Sequence, residues 1–314
     1  MRRPQPEPVA GLPERVTIYE VGPRDGLQHE SQVLPAPDKA EFVRMLAETG
    51  LETVEVAAFV PADRAERMPQ LDDAPDLLAN LGAAGLGRRR PVLVPDADGL
   101  ERALACGVSA IAIPASATES YAQHLLGCSR AESLDRFVAV VARAKGEGAW
   151  VRAHLAMCLG DPWEGSVPLS QVVDTTRRLL ESGCDQISLG DTLGVATTGQ
   201  VHRLLESLDA AGVGLDALAV HFHDTYGQGL ANTLEAVRLG VTCVDASAGG
   251  LGGCPYARSA TGNLATEDLL WALDGLGVRT GVDLKKLVAT SAWLAGRLGR
   301  PAPSRVVAAL QETV

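Results

Sequence analysis

The chain has 314 residues, of which 46% are hydrophobic and only 4% aromatic. This composition excludes a disordered chain and predicts a core built mainly from Ala, Val, Leu and Ile. The formal net charge of −11 argues against a nucleic-acid partner, whose phosphates demand a basic surface. No run approaches the ~20 apolar residues that cross a membrane, so we expect no membrane partner.

The amino-terminal segment and the cysteines together predict a cytoplasmic protein. Met1–Pro6 carries positive charge with no apolar segment behind it, so no signal peptide is expected. The cysteines are scattered without a CxxC pair, and we expect reduced thiols. Besides Cys254, they are predicted to be small core residues, at positions 106, 128, 158, 184 and 243.

Short β-branched or apolar runs recur at roughly regular intervals and predict strands. These runs are Val16–Val21, Thr53–Val56, Pro91–Val94, Ala110–Ile113, Trp150–Leu155, Gln186–Leu189, Leu218–Phe222 and Thr242–Ala246. Amphipathic stretches with helical spacing lie between them, for example Ala40–Ala47. Several of these stretches end in a glycine that marks the junction to the next strand: Gly50, Gly107, Gly183 and Gly240.

This alternation predicts an α/β fold, a (β/α)₈ TIM barrel of about residues 15–280. We expect one domain over 1–314, with a helix at Leu284–Leu298 and a tail forming an extension over about 281–314. A doubly wound open sheet is the alternative. It would require a glycine-rich phosphate loop after the first strand, and Glu20–Gly26 does not match GxGxxG.

Unusual polar residues cluster where a barrel places its chemistry, at the carboxyl ends of the strands. They are Arg24 and Asp25, Glu55, Ser188–Thr192, His221–Asp224 and the glycine-rich segment Gly249–Tyr256. This convergence predicts an active site at that end of the barrel.

The pair His221 and His223 is the sharpest local signal. Because side chains alternate along a strand, both histidines point to one face, about 7 Å apart, and can bind one ion. Asp25 adds a carboxylate. Such a nitrogen and oxygen ligand set favours Mg²⁺ or Mn²⁺ over a closed zinc site. Two hydrogen-bonded core histidines are the alternative for an isolated pair of this kind.

Arg24 and Cys254 are candidates for the reaction itself. A guanidinium beside a metal stabilises a developing enolate, although Arg24 could also form a structural ion pair with Glu55. Cys254 follows four glycines within Gly249–Cys254. A loop of this composition can approach a ligand closely, which makes Cys254 a candidate acid/base.

The chain resembles the 3-hydroxy-3-methylglutaryl-CoA lyase family over about Val16 to Val306. The resemblance rests on Glu20–Gln28, Ser188–Gly194, His221–Gln228 with Leu230–Asn232, and Ala248–Asp268. The wider superfamily, which includes Claisen-condensing synthases, shares the Arg-Asp and HxH elements. The cysteine loop separates the lyases from these synthases.

The resemblance implies the roles of the site residues. Metal ligands would be Asp25, His221, His223 and Asn263. Arg24 would stabilise the acetyl-CoA enolate, and Cys254 would act as general acid/base. Asp191 and His221 would help to remove the hydroxyl proton, Glu55 would orient Arg24, and the substrate would contact Arg24, Gln28, Ser188 and Thr192.

The implied activity is a retro-Claisen cleavage of an acyl-CoA substrate to acetyl-CoA and acetoacetate by a divalent-metal-dependent carbon–carbon lyase. The resemblance also implies a homodimer and a place in leucine degradation. Several segments depart from the family pattern, among them Tyr121–Gly127 and Ala156–Trp163. They leave open a related 3-hydroxyacyl-CoA as substrate. An acyl-CoA condensing transferase, against which Cys254 argues, and a non-catalytic CoA-binding or scaffolding protein are further alternatives.

Overall fold

The computed structural model describes residues 4–62, 66, 68–82, 89–253 and 262–311. Within them the strands are β1 Thr17–Glu20, β2 Thr53–Val54, β3 Ala57–Ala58, β4 Val92–Leu93, β5 Ala110–Ser116, β6 Trp150–Ala156, β7 Gln186–Asp191, β8 Leu218–Phe222 and β9 Cys243–Ala246. The helices are α1 Ala36–Glu48, α2 Ala74–Leu81, α3 Ala97–Ala105, α4 Glu119–Leu126, α5 Arg130–Gly146, α6 Leu169–Glu181, α7 Thr198–Ala210, α8 Gly229–Arg238, α9 Thr266–Gly275, α10 Leu284–Leu298 and α11 Arg305–Gln311.

All neighbouring strands are parallel, in the order β2-β1-β9-β8-β7-β6-β5-β4-β3. β2 lies within the predicted second strand Thr53–Val56, and β3 continues that strand beyond the predicted end to Ala58. Between them, the Glu55 N–H donates to the Glu20 carbonyl at 2.9 Å, and the Val56 N–H to the Pro91 carbonyl at 3.0 Å. The continuous segment that contains β2 and β3 therefore pairs with β1 on one side and with β4 on the other. This pairing closes the sheet, and the predicted TIM barrel is confirmed.

The apolar faces of strands and helices form one continuous core between sheet and helices, with members such as Phe42, Val151, Leu204 and Leu287. Gly50, Gly107, Gly183 and Gly240 all have positive φ, between 75° and 111°. The helix-to-strand junctions expected from these glycines are confirmed, because only glycine enters this conformation without a steric penalty.

The carboxyl-terminal extension contains two helices. α10 has the predicted bounds Leu284–Leu298. A further helix, α11, lies in the segment predicted to be a tail. The Ser304 hydroxyl accepts the Val307 N–H at 3.1 Å and so caps the amino end of α11.

Four of the cysteines predicted to be core residues are buried: Cys128, Cys158, Cys184 and Cys243. Cys106 is exposed, so that prediction was wrong for it. It follows the last residue of α3, at the helix end next to Gly107, where the chain turns at the surface. None of the helices in the described ranges has the length and apolar character needed to cross a membrane.

Candidate active site

Three predicted ligands meet at the carboxyl end of the barrel. Asp25 lies in a wide helical turn, Gly22–Gly26, directly after β1, whereas His221 belongs to β8 and His223 follows it. One ligand atom from each lies within 4.8 Å of the others. The expected shared face is therefore present, and the arrangement can hold a metal ion.

Charge and burial hold Asp25 and His223 in the protonation states that a cation requires, whereas Asp245 and Asp25 raise the pKa of His221 against the effect of burial. Burial would raise the pKa of Asp25, but Arg24 and the two histidines hold it well below its usual range. Burial and the neighbouring His221 lower the pKa of His223 to about 4. A carboxylate and a neutral imidazole are the forms that bind divalent cations.

Asn263 completes this group from the far side of the cysteine loop. Main-chain pairing holds it beside His223, and its Nδ2 donates to Asp25 Oδ2 at 2.8 Å. Its Oδ1 and the Nδ1 of His223 are buried without a hydrogen-bond partner. Unpaired buried polar atoms are costly. Two such atoms beside a carboxylate therefore fit the ligands of a divalent cation.

Arg24 is pinned at the edge of this group. Its Nε donates to Glu55 Oε1 in a short contact, and its Nη1 lies 2.7 Å from Asp25 Oδ1. Burial raises the pKa of Glu55, but Arg24 and His154 outweigh it and hold that pKa well below its usual range. The guanidinium is thus fixed and charged next to the metal ligands, as a residue that stabilises an anionic intermediate must be.

Beneath the histidines lies a buried ion pair that sequence reasoning missed. Arg152 of β6 and Asp245 of β9 are in contact through Arg152 Nη2 and Asp245 Oδ1, and neither side chain is exposed. Asp245 Oδ2 accepts from Ser188 Oγ at 2.8 Å and lies 3.3 Å from His221 Nδ1. A proton on Nδ1 directs His221 Nε2 towards the ligand group, where it lies 3.9 Å from Asp25 Oδ2.

His154 joins the two buried carboxylates. Its Nε2 lies 2.7 Å from Glu55 Oε2, and its Nδ1 lies 3.8 Å from Asp245 Oδ2. The Tyr19 hydroxyl also donates to Glu55 Oε2, at 2.6 Å. Arg24 and His221 are therefore parts of one buried network.

A pocket of about 280 Å³ opens above this network. The predicted contacts Arg24, Gln28, Ser188 and Thr192 all line it, together with His221 and His223. The two divergent segments also reach it, through Tyr121 and Ala156 among others. The side of the pocket opposite the metal ligands is mainly apolar.

Asp191, the predicted partner of His221, lies at the end of β7 and is only 1% exposed. Its carboxylate accepts main-chain N–H groups of Val195 at 3.1 Å and Ala196 at 2.9 Å. Burial raises its pKa, and these hydrogen bonds and the charge of His221 oppose the shift. It therefore lies near His221 but is tied to the following loop.

Cys254 lies outside the described residues. Its chain neighbour Gly253 lines the pocket. The described segment that leads to it is held by two buried carboxylates: the Ala248 N–H donates to Glu20 and the Gly249 N–H to Glu267, both at 2.8 Å. The glycine at position 262, beyond the loop, is required by close approach, since a Cβ there would lie 2.1 Å from the Gly252 carbonyl oxygen.

The missed residues carried a signal in the sequence. Arg152, His154 and Asp245 are polar residues inside runs that otherwise read as buried strands. A charged side chain in such a run is rarely left without a partner. Identifying the partner required the barrel, because Arg152 and Asp245 are 93 positions apart.

Comparison with known proteins agrees with this geometry. A family model described as HMGL-like matches residues 15–294. The chain is 43% identical to the cytoplasmic 3-hydroxy-3-methylglutaryl-CoA lyase of Rattus norvegicus, over 96% of this chain and 86% of the rat protein. It is 44% identical to the mitochondrial hydroxymethylglutaryl-CoA lyase of Arabidopsis thaliana, over 97% of this chain and 64% of that longer protein.

Among solved structures, the hydroxymethylglutaryl-CoA lyase of Pseudomonas aeruginosa superposes with a TM-score of 0.92 at 41% identity. The match covers 97% of this chain and all of that one.

Proposed function

The chain belongs to the HMGL-like family, and we propose that it cleaves 3-hydroxy-3-methylglutaryl-CoA to acetyl-CoA and acetoacetate. The observation that carries the proposal is the position of Arg24, fixed by Glu55 beside the group Asp25, His221 and His223. A retro-Claisen cleavage needs a fixed cation for the thioester enolate and a neighbouring group that activates the hydroxyl.

The ligands of a divalent ion would be Asp25, His221, His223 and Asn263, with Mg²⁺ or Mn²⁺ favoured by their nitrogen and oxygen atoms. When bound, the ion would supply a Lewis acid that acidifies the substrate hydroxyl. The fit is supported by the two buried atoms without partners, Asn263 Oδ1 and His223 Nδ1.

The remaining steps fall to side chains of the pocket. Asp191 and His221 would together help to remove the tertiary hydroxyl proton as the carbon–carbon bond breaks. Arg24 would hold the thioester oxygen of the departing enolate, and Glu55 would keep the guanidinium in place. Cys254 would then deliver a proton to the enolate carbon. Gln28, Ser188 and Thr192 would contact the substrate.

The proposal extends to the setting of the reaction. We infer a cytoplasmic enzyme of leucine degradation that acts as a homodimer; a cytoplasmic relative supports the compartment, although other relatives are mitochondrial.

The test is release of acetyl-CoA from 3-hydroxy-3-methylglutaryl-CoA in the presence of Mg²⁺ or Mn²⁺. We expect turnover by the wild type and a loss of at least ~10²-fold in kcat for Cys254→Ala, the lower range for a general acid/base. Cys106→Ala is the matched control, since Cys106 is exposed at the end of α3. No release by the wild type, or full release by Cys254→Ala, would refute the proposal.

A further inference from the structure

His154 lines the pocket, but it belongs neither to the metal ligands nor to the residues of the proposed steps. It lies on β6 two positions after Arg152, and because side chains alternate along a strand, both point into the barrel. The Arg152 side chain is fully buried, whereas 15% of the His154 side chain is exposed. His154 therefore reaches both the buried network and the space that a substrate would fill.

Two rings and one carboxylate fix the imidazole of His154. Its ring centroid lies 6.0 Å from that of Tyr19 and 6.4 Å from that of His221, with interplanar angles of 78° and 67°. Edge-to-face contacts of this kind are favourable between aromatic rings. The Nε2 atom lies 2.7 Å from Glu55 Oε2. The ring is thus held with this nitrogen directed at Glu55.

The contact with Glu55 determines which nitrogen of His154 carries a proton. Burial raises the pKa of Glu55, but Arg24 and His154 outweigh it and keep the carboxyl ionised. An ionised carboxylate only accepts hydrogen bonds, so Nε2 must carry a proton and donate. The Nδ1 atom lies 3.8 Å from Asp245 Oδ2, which is beyond hydrogen-bond distance. His154 consequently acts on Glu55 rather than on Asp245.

The Glu55 carboxylate is shared between three donors. Its Oε1 accepts from Arg24 Nε, and its Oε2 accepts from the Tyr19 hydroxyl at 2.6 Å as well as from His154. The side chain of Glu55 is not exposed, so it depends on donors from the protein. The last torsion of a glutamate side chain has a broad energy minimum. Loss of a donor at Oε2 therefore frees the carboxylate to rotate, and a rotation moves Oε1 together with the guanidinium that it holds.

We propose that His154 is a positioning residue of the cleavage reaction: its Nε2–H fixes the Glu55 carboxylate and thereby holds the Arg24 guanidinium in the orientation that meets the thioester enolate. This inference rests on the proposed function. The imidazole exchanges no proton with the substrate, and its contribution is geometric. It is expressed in kcat, because a misplacement of about 1 Å in a group that acts on the transition state can cost ~10²-fold.

The first experiment measures kcat and KM for acetyl-CoA release from 3-hydroxy-3-methylglutaryl-CoA, with saturating Mn²⁺, in two variants of His154. Leucine removes the donor, whereas the amide of glutamine can place an N–H near the position of Nε2. We expect His154→Leu to lower kcat by about 10–100-fold and His154→Gln to stay within about fivefold of wild type, with KM little changed in both. His202→Leu is the matched control, because His202 also pairs with a glutamate, Glu235 at 2.7 Å, but lies on α7 with 36% of its side chain exposed.

The outcomes of this experiment separate the inference from the proposed function. Wild-type turnover with a kcat of His154→Leu within about threefold of it would overturn the inference and leave the proposed function standing. Equal losses in the leucine and glutamine variants, with melting temperatures near wild type, would also overturn it, because the imidazole would then act by packing alone. No turnover by the wild type would overturn the proposed function, and the inference with it.

The second experiment tests the route of the effect. If His154 acts through Glu55, the dissociation constant for Mn²⁺, measured by electron paramagnetic resonance, should stay within about twofold of wild type in His154→Leu. The loss of kcat should shrink to about threefold or less when His154→Leu is combined with Arg24→Lys, since residues of one network are not additive. Full additivity, or a loss of Mn²⁺ affinity as large as the loss of kcat, would overturn the inference by placing the effect at Asp245 and His221.

A third measurement is independent of turnover. Nuclear magnetic resonance of protein labelled at its histidine nitrogens shows which ring nitrogens are protonated, and the signal of His154 is assigned by its absence in His154→Gln. We expect a protonated Nε2 at pH 7, since Glu55 can only accept from it. An unprotonated Nε2 would overturn the inference.

Discussion

Two sets of buried carboxylates lie within the same barrel, and they are held in opposite ways. At the ligand group, Asp25, Glu55 and Asp245 each face a cation, Arg24 or Arg152. Burial raises the pKa of these acids, but the neighbouring positive charges outweigh it and leave every pKa below its usual range. All three are therefore anions.

At the root of the glycine loop, Glu20 and Glu267 face neutral donors. Glu20 accepts the Thr266 hydroxyl at 2.7 Å besides its main-chain bonds, and Glu267 accepts the Ser291 hydroxyl. Burial raises the pKa of Glu20 to about 7 and that of Glu267 to about 8, and the hydrogen bonds only partly oppose it.

The difference shows that burial alone does not identify a site. The same burial produces a reactive anionic network where arginines are present and a structural anchor where only hydroxyl and main-chain donors are present. The first set holds groups that must stay charged during a reaction, and the second holds the segment that leads to Cys254.

The largest effect on activity is expected from a substitution of Arg24, the cation that faces Asp25 and Glu55. Arg24→Lys keeps the charge but cannot reproduce the contacts of the guanidinium with Glu55 and Asp25. We expect kcat to fall by about 10²–10³-fold, the range for losing one donor to a developing oxyanion. Steady-state rates with a melting curve measure this. A variant within threefold of wild type would remove Arg24 from the reaction.

A smaller effect is expected from Asp245→Asn, which weakens the hold on His221 Nδ1. We expect Mn²⁺ affinity to fall by about 10–100-fold, as for other partners of metal-binding histidines. Titration of free Mn²⁺ by electron paramagnetic resonance gives the dissociation constant independently of turnover. Glu267→Gln is the matched control from the second set and should keep its affinity within about twofold, a difference below ~0.4 kcal/mol. Equal losses of Mn²⁺ affinity in both variants would contradict the distinction between the anionic carboxylates near the ligand group and the structural carboxylates at Glu20 and Glu267.

The second set predicts a pH dependence of stability. Because the folded-state pKa of Glu267 is raised to about 8, the folded protein holds a proton that the unfolded chain releases near pH 4. The contribution of Glu267 is full below the unfolded pKa and is lost as pH rises to about 8, at up to ~1.4 kcal/mol per pH unit. Glu267→Gln cannot titrate, so denaturant unfolding from pH 5 to 9 should show a shallower decline. An identical decline would mean that Glu267 is ionised throughout.

The smallest effect is expected from Ser291→Ala, which removes one neutral donor to Glu267. We expect a loss of about 0.5–1.5 kcal/mol in the free energy of unfolding, the usual net value of one hydrogen bond. Chemical denaturation at pH 7 measures it, with Ser207→Ala as control, since Ser207 is only partly buried on α7 and its hydroxyl donates to the Arg203 carbonyl. A loss above about 3 kcal/mol would indicate a charged partner in place of the neutral one.

Much of the site could be predicted from local sequence. The spacing of His221 and His223 places both side chains on one face of their strand, because side chains alternate along a strand. Asp25 follows the first strand. The order of the strands in the predicted barrel then suffices to bring the three side chains together at one end. The role of Cys254 stays a prediction, because the residue lies outside the described part of the chain. The exposed position of Cys106 could not be predicted from the sequence. The packing of the barrel, rather than the residue type, decides that this end of α3 lies at the surface.

The sequence by itself determined the alternation of strands and helices, the glycine junctions and the end of the barrel where polar residues gather, because these depend on periodicity and on residues a few positions apart. Only the tertiary structure decided that Arg152 pairs with Asp245, and that His154, 99 positions from Glu55, joins the Glu55 carboxylate to Asp245. It also decided that apolar side chains such as Leu93 and Tyr121 line the pocket together with the metal ligands. Closure of the barrel brings strands that are distant in the sequence close together in space. The charge and the apolar character of the pocket therefore depend on side chains from all of these strands, which no local segment of the sequence contains.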